Sequence, residues 1–471
     1  MNKKKKIIKR GDVILEDKPF VHALKSLFKN EKCDYCYSAE NLSRCSGCQY
    51  VLYCNRICQK LSWIEHKHEC CKMRKIFPKV LPDAARIMSK IIIKLRNGGL
   101  IQKSYYAPNR SRTFQDMMSH YPELKKDKQR LDHFNSLFEV LKNYMGESGL
   151  PNTVELLGIY GRMCINAFNI LDNNLNTVGT GIYLAASVLN HSCTPNATAT
   201  FDGTTLRIRA LMDIEPSDPE LHVYISYLEL MQTTSERRCE LQKNYYFICE
   251  CQRCTNDNEQ NFVNSMICPN IKCQEGIPME LNKPNVLDTV TCSKCLLKVD
   301  DRIVEEFYNV TEFTNFQLQK MKDIGYLDIC KMCLKKQNGI FHPNNIHHVK
   351  ILDLAFESAI KMELWSESLK FGIKLIEGYK VYYGNYHPSL GILLMKLFKL
   401  CSIVENAETA VQYLKKGMSV LKITHGEDHS LYINEVVPYS KEDLRLFSPS
   451  NTLFLSRRGS RSQGHSKYSA E

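Results

Sequence analysis

Cysteine and histidine crowd one short stretch of this chain. Cys33/Cys36, Cys45/Cys48, Cys54/Cys58 and His66/Cys70 form four neighbouring pairs within residues 33–70. Two or three intervening residues let the chain fold back so that both side chains of a pair reach one ion, which makes each pair two corners of a tetrahedral zinc site. Four pairs make two closed sites, and a closed site has no open position for water, so these zincs are predicted to hold structure and perform no chemistry. The segment is too short for an adequate hydrophobic core, and zinc binding, at roughly 10–16 kcal/mol per structural site, supplies the stability. His68 competes with His66 for one position; the spacing to Cys70 favours His66 and leaves His68 and Cys71 as bystanders.

A second set of chemical groups is spread more widely. Asn190-His191-Ser192-Cys193 is followed by Thr194-Pro195-Asn196, then by Ile225-Ser226-Tyr227 and by Cys249-x-Cys251-x2-Cys254. Three cysteines need a fourth ligand, and Cys193 is the candidate if the tail folds back over the strand that bears it, giving a third closed zinc site. Taken alone, Asn190-His191 could be an ordinary turn and Tyr227 a packed ring. Cys268-x4-Cys273 and Cys292-x2-Cys295 could bind a fourth zinc, although the first spacing is at the limit of the usual pattern. Cys330-x2-Cys333 falls in a helical pattern and reads as core or surface thiols.

The elements that must position these groups are legible in outline. Pro82 and Asp83 start a helix, DAARIMSKIIIKLR over 83–96, and Asn97-Gly98-Gly99 stop it. Helical pattern continues to about residue 170. Between about 178 and 227 short alternating runs such as ATATFDG and TLRIRAL, broken by Asp202-Gly203 and Pro216, predict strands and hairpins. From about 345 the pattern is helical again with a weak repeat, FHPNNI, YHPSL and DHSL, spaced 45 residues from His342 to His387 and 42 to His429. A helix pair per repeat fits that period, with the histidines in the turns. From Tyr439 the chain turns Ser- and Arg-rich and is expected to be disordered.

Composition sets wider bounds. At 471 residues, 44% hydrophobic and 24% charged, the chain can form several soluble domains. Its 21 cysteines, grouped as C-x2-C and C-x-C, point to thiolate–metal chemistry in a reducing compartment. No apolar run approaches the eighteen or so residues a membrane span requires, and the start lacks the h-region of a signal peptide. Lys3 to Lys6 with Lys9 and Arg10 read either as a nuclear-localisation or nucleic-acid patch or as a solvated basic terminus. A net charge of +12 favours an acidic partner surface or nucleic acid without specifying either.

The stretch CDYCYSAENLSRCSGCQYVLYCNRICQKLSWIEHKHEC resembles a MYND zinc finger, a module that binds proteins through short proline-containing peptides. NHSCTPN, the tyrosine at 227 and the C-x-C-x2-C tail closely resemble a SET domain with its post-SET zinc cluster. Together they resemble the SMYD family of protein-lysine methyltransferases. The resemblance implies an α+β fold. Residues 1–32 would be the N-terminal part of a split SET domain, 33–70 the finger, 71–177 a helical SET insert and 178–230 the SET core. A post-SET zinc segment (231–256), a Cys-containing insertion (257–310), a TPR-like helical domain (311–438) and a disordered tail (439–471) follow.

What the resemblance implies for function is S-adenosylmethionine-dependent methylation of lysine in histone or other proteins, linked to transcriptional regulation, in nucleus and cytoplasm. Tyr227 matches the catalytic tyrosine, and Tyr245 with Tyr227 the substrate channel. Asn166, Ser187, Leu189, Asn190, His191 and Phe247 match the cofactor pocket. The family also implies three structural zincs, chaperone binding by the helical domain and a monomer. The family's G-x-G turn, which contacts the cofactor, has no counterpart in MNKKKKIIKRGDVILEDKPF, and Gly179-x-Gly181 belongs instead to the strand leading into NHSC. The alternative is therefore a catalytically impaired adaptor that binds proteins through the finger and helical domain. Direct DNA binding ranks last, since no groove-reading helix is recognisable.

Overall fold

The computed structural model describes residues 7–215, 222–256, 260–280, 289–321, 326–404 and 406–440. The chain forms two units, Met1–Tyr227 with Arg238–Cys249, and Leu228–Arg237 with Glu250–Glu471. Pro216, Lys3 to Lys6 and residues 441–471 of the Ser- and Arg-rich tail lie outside the described residues; before the tail there is a short helical turn, Val437–Ser440. Among the described residues no helix is long and apolar enough to cross a membrane.

The first unit is built on these strands: β1 (Val13–Asp17), β2 (Val21–Leu24), β3 (Ala167–Leu171), β4 (Thr177–Ile182), β5 (Asn190–His191), β6 (Ala197–Asp202), β7 (Thr205–Ala210) and β8 (Tyr224–Ile225). One sheet has the order β1-β7-β6 and another β2-β4-β3. The β6–β7 hairpin turns through Gly203, whose φ of 60° suits a residue without a Cβ. β5 and β8 run parallel, with Tyr224 opposite Asn190 and Ile225 opposite His191. A parallel pair requires a long crossover, here the chain that includes the β6–β7 hairpin, and it sets residues far apart in sequence side by side. Gly179 and Gly181 lie in β4, where an added Cβ would strike the rings of Tyr37 and Tyr183, so these glycines serve close packing within a strand.

Its helices are α1 (Arg56–Ile76), α2 (Asp83–Arg96), α3 (Lys128–Met145), α4 (Thr153–Asn166) and α5 (Thr234–Tyr245), the last beginning in the second unit. α2 has the predicted bounds. It buries Ile87, Met88, Ile91 and Ile92 in one core with the finger's cysteines and with Phe134, Leu137 and Leu141 of α3. The region expected to be helical up to about 170 also holds β3 and a hairpin, Ser104–Ala107 with Arg110–Arg112. The hairpin's Pro108-Asn109 turn, with Asn109 at φ 65°, is the local reason.

The second unit contains β9 (Ser265–Ile267) paired antiparallel with β10 (Gly276–Pro278), then α6 (Asp301–Met321), α7 (Leu327–Gln337), α8 (Ile346–Lys361), α9 (Trp365–Tyr383), α10 (Pro388–Ile403) and α11 (Ala407–Thr424). The last four share a core of Phe356, Leu375, Leu397 and Leu421. The three repeat histidines do sit in turns and do the same work: Nδ1 of His342, His387 and His429 accepts from the backbone N–H two residues on. His387 and His429 are thereby helix N-caps.

Candidate metal centres and tyrosine site

In the finger, Cys33, Cys36, Cys54 and Cys58 converge as one set and Cys45, Cys48, His66 and Cys70 as another, the ligand atoms of each set lying within 4.8 Å of one another. The pairs thus interleave along the chain. Cys36 Sγ is 3.5 Å from Cys54 Sγ, which is 3.4 Å from Cys58 Sγ. Cys45 and Cys70 sulfurs are 3.9 Å apart, and Cys48 Sγ is 3.6 Å from His66 Nε2. Tetrahedral zinc with Zn–S of about 2.3 Å has S···S edges of ~3.8 Å, whereas a disulfide needs about 2.05 Å. The donor set and its spacing fit zinc.

Local folding explains the convergence. Ser43–Arg44 pairs antiparallel with Leu52–Tyr53, which returns the chain past Cys45 and Cys48. Asn55 then caps α1, its Oδ1 accepting from Cys58 N at 2.8 Å. Cys58, His66 and Cys70 fall on the buried face of that helix, as their spacing of eight and four residues requires. Gly47 leaves room for the last ligand, since a Cβ there would lie 2.9 Å from Cys70 Sγ.

Sequence reasoning missed the group that ties the finger to α2. Asp34, between Cys33 and Cys36, meets Arg86 in a buried bidentate pair, with Nη1–Oδ1 2.7 Å and Nη2–Oδ2 2.8 Å. Burial alone would raise the Asp34 carboxyl, but the guanidinium beside it overrides this and holds it well below the usual carboxylate range. A lone arginine in an amphipathic helix carries no sequence signal for such a role.

Four other predicted site residues gather with Tyr227. Its hydroxyl donates to the carbonyl of Leu189, and its ring centroid is 5.3 Å from His191 and 5.0 Å from Tyr245. The Phe247 ring lies 6.2 Å from His191. Tyr246 between them adopts φ 62° and turns away to Asp127, its hydroxyl donating at 3.0 Å. Burial, reinforced by Tyr245, raises the Tyr227 phenol far above its ordinary value, so it stays protonated. Asn196 of NHSCTPN holds β8 in place, accepting from Tyr224 N at 2.8 Å and donating to the His222 carbonyl.

The remaining predicted residues are placed as follows. Asn190 is exposed beside buried His191. Ser187 accepts from Arg112 at both its carbonyl (2.8 Å) and its Oγ (3.2 Å). Arg112 is a second group the sequence did not flag, and its charge also acts on the Tyr227 phenol. Asn166 ends α4 and is tied to another segment, its amide donating to Met118 O and Arg162 O. Cys193 Sγ lies 3.9 Å from Cys249 Sγ, and Cys251 and Cys254 occupy one turn, Cys254 N donating to Cys251 O. Cys268, Cys273, Cys292 and Cys295 converge within 4.8 Å. Cys330 and Cys333 are packed core thiols of α7.

The family model for the MYND finger matches residues 33–70, the span of the eight ligands. Over 434 residues, 90% of each chain, the protein is 27% identical to the histone-lysine N-methyltransferase SMYD3 of Homo sapiens. It is 25% identical over 429 residues to the N-lysine methyltransferase SMYD2 of Homo sapiens, covering 90% of this chain and 92% of that one. To the N-lysine methyltransferase SMYD2-A of Xenopus laevis it is 27% identical over 442 residues, 93% and 94% of the two chains. With the interleaved finger ligands and a likeness that runs nearly end to end, the chain belongs to the SMYD family.

Proposed function

We propose that this chain methylates lysine side chains of proteins, histones among them, with S-adenosylmethionine as methyl donor. The observation that carries this reading is the Tyr227 site: a protonated phenol committed to a backbone carbonyl and walled by Tyr245 and His191. Neither phenol can take a proton at neutral pH, because burial holds both Tyr227 and Tyr245 above their ordinary values. The lysine must therefore enter as the free amine, which a dry aromatic site favours over the ammonium. The phenol and the Leu189 carbonyl would orient that amine, and the two tyrosine rings would exclude water.

Asn190, His191 and Phe247 supply an amide and aromatic faces, a donor set suited to a purine and an amino-acid group, with Ser187, Leu189 and Asn166 as further members of the cofactor site. When bound there, S-adenosylmethionine supplies an electrophilic methyl group. Arg112 would hold the Ser187 segment in position. Cys193, Cys249, Cys251 and Cys254 would bind a third zinc, supported by their spacing and by the 3.9 Å approach of Cys193 to Cys249.

That β1 and β2 precede the finger while their partners follow α4 supports a split SET fold. The successive helices α8 to α11 support a TPR-like array able to take up chaperone or other protein segments, and exposed Ile57, Leu61, Trp63 and Ile64 on α1 support peptide binding by the finger. Nucleus and cytoplasm, with a link to transcription, are the setting this reading entails. The test is incubation of the zinc-loaded chain with methyl-labelled donor and core histones or a lysine-peptide array, read by tandem mass spectrometry. Label on lysine is expected. Absence of label from every substrate, with the donor bound in calorimetry, would overturn the transfer.

A further inference from the structure

We propose that Cys268, Cys273, Cys292 and Cys295 hold a further structural zinc ion that fastens residues 265–280 and 289–299 onto α6. The four sulfurs converge within 4.8 Å, with Cys268–Cys295 at 3.6 Å and Cys273–Cys292 at 3.8 Å. These are edges of a tetrathiolate tetrahedron and are far too long for disulfides.

The backbone around these cysteines repeats the backbone of the finger. In the finger, the residue after the second cysteine of each C-x2-C pair is left-handed, Tyr37 at φ 67° after Cys36 and Gln49 at φ 57° after Cys48. In the insertion the same position is Gln274 at φ 52° after Cys273 and Leu296 at φ 58° after Cys295. Tyrosine, glutamine and leucine avoid this conformation, so its recurrence at four equivalent places marks a shared demand. That demand is visible in the amides. The N–H of Ser38 and Tyr50 points to the sulfur of Cys36 and Cys48 two residues back, and those of Asn270, Glu275 and Leu297 point likewise to Cys268, Cys273 and Cys295. Such donors stabilise thiolate, the form that binds metal.

Cys330 and Cys333 supply the internal contrast. They have the same C-x2-C spacing but lie within α7, where Leu334 continues the helix, and Cys330 Sγ packs 3.8 Å from Met321 Sδ. Spacing alone does not make a site; the left-handed turn with its amide donors does. In the insertion, Lys294 of the second turn pairs at 2.9 Å with Glu275 of the first, and Cys268 and Cys292 are buried with Met266, Ile277, Val304 and Phe307. One ion would therefore join the β9–β10 hairpin to the segment entering α6. Tetrahedral thiolate sets take zinc or iron, and the likeness to the finger assigns zinc.

The proposal is independent of the methyl-transfer reading. It is tested on the full chain, purified under reducing conditions, by zinc content per chain together with cysteine alkylation mapped by mass spectrometry. Exposed Cys71 and Cys239 should react at once, whereas Cys268, Cys273, Cys292 and Cys295 should resist until a chelator is added. The Cys292→Ser/Cys295→Ser variant should lose one zinc equivalent, and Cys330→Ser/Cys333→Ser none. Alkylation of the four cysteines in the untreated chain as fast as Cys71 would overturn the site, even where the variant misfolds. Disulfides among them, or iron in place of that zinc, would do so too.

Discussion

The backbone N–H of Tyr227 donates to Nδ1 of His191 at 3.0 Å, which places the proton of the neutral imidazole on Nε2, 3.2 Å from the Cys193 sulfur. One ring thus joins the tyrosine to a proposed zinc ligand, the arrangement by which outer partners commonly steady metal ligands. Replacing His191 by Leu removes the acceptor and leaves a half-buried N–H unsatisfied, at a cost of about 1 kcal/mol. His191→Gln retains an acceptor and should recover part of that loss. Urea unfolding of the two variants beside the parent chain checks it; equal stability of Leu and Gln would show that the bond contributes nothing.

Tyr227→Phe separates the phenol from the fold. It deletes one hydrogen bond to Leu189, worth about 0.5–1.5 kcal/mol net, so the melting curve should shift little. Methyl transfer should fall on the order of 10²-fold if the hydroxyl positions the reacting amine. An unchanged rate in a single-turnover assay would remove the hydroxyl from the chemistry.

Gly47→Ala puts a methyl carbon 2.9 Å from Cys70 Sγ. The expected result is faster zinc loss to a colorimetric chelator from the Cys45/Cys48/His66/Cys70 site, with the other finger site following it. Release at the parent rate would mean that the turn can shift to accommodate the methyl.

Arg86→Ala leaves the Asp34 carboxylate buried without its partner, a change that costs about 3–5 kcal/mol, while Arg86→Met with Asp34→Leu should regain most of it. The acid limb changes as well. Asp34 has a depressed folded pKa, so the parent chain holds this stability above the unfolded value and loses it as pH falls below about 4. That portion of the acid dependence should vanish from the double variant in chemical denaturation between pH 5 and 3.

His347 is buried in α8, and burial first, then the charge of Lys350, lowers it to about 4. The unfolded chain takes up this proton near the ordinary histidine value of 6.5 and the folded chain only near 4, so stability is lost as pH falls through that interval. The slope is about 1.4 kcal/mol per pH unit for one such histidine. His347→Leu should flatten the dependence measured between pH 7 and 5.5; an identical slope would place the titration elsewhere.

Much of the finger could be read from spacing because ligand pairs are local. The eight ligands follow from two- and three-residue gaps, and His66 is distinguished from His68 by lying one helical turn before Cys70. Which pairs share an ion could not be read. That depends on the hairpin at Ser43–Tyr53 and the return of α1, neither of which leaves a mark in the gaps. The same limit applies to the tyrosine site. NHSC and Tyr227 were visible as motifs, but the parallel pairing of Asn190 with Tyr224 and the reach of Arg112 to Ser187 are long-range relations. Arg86 was invisible because a buried ion pair and a solvated charge look alike in one sequence.

The interleaving of the finger carries a last consequence. α1 alone bears Cys58 for one ion and His66 with Cys70 for the other, so neither site can be completed until the same helix is ordered. The first ion to bind meets the entropic cost of that ordering, and the second arrives at a site already shaped. The finger should load and empty as a unit, passing between metal-free and doubly filled states over a narrow range of free zinc.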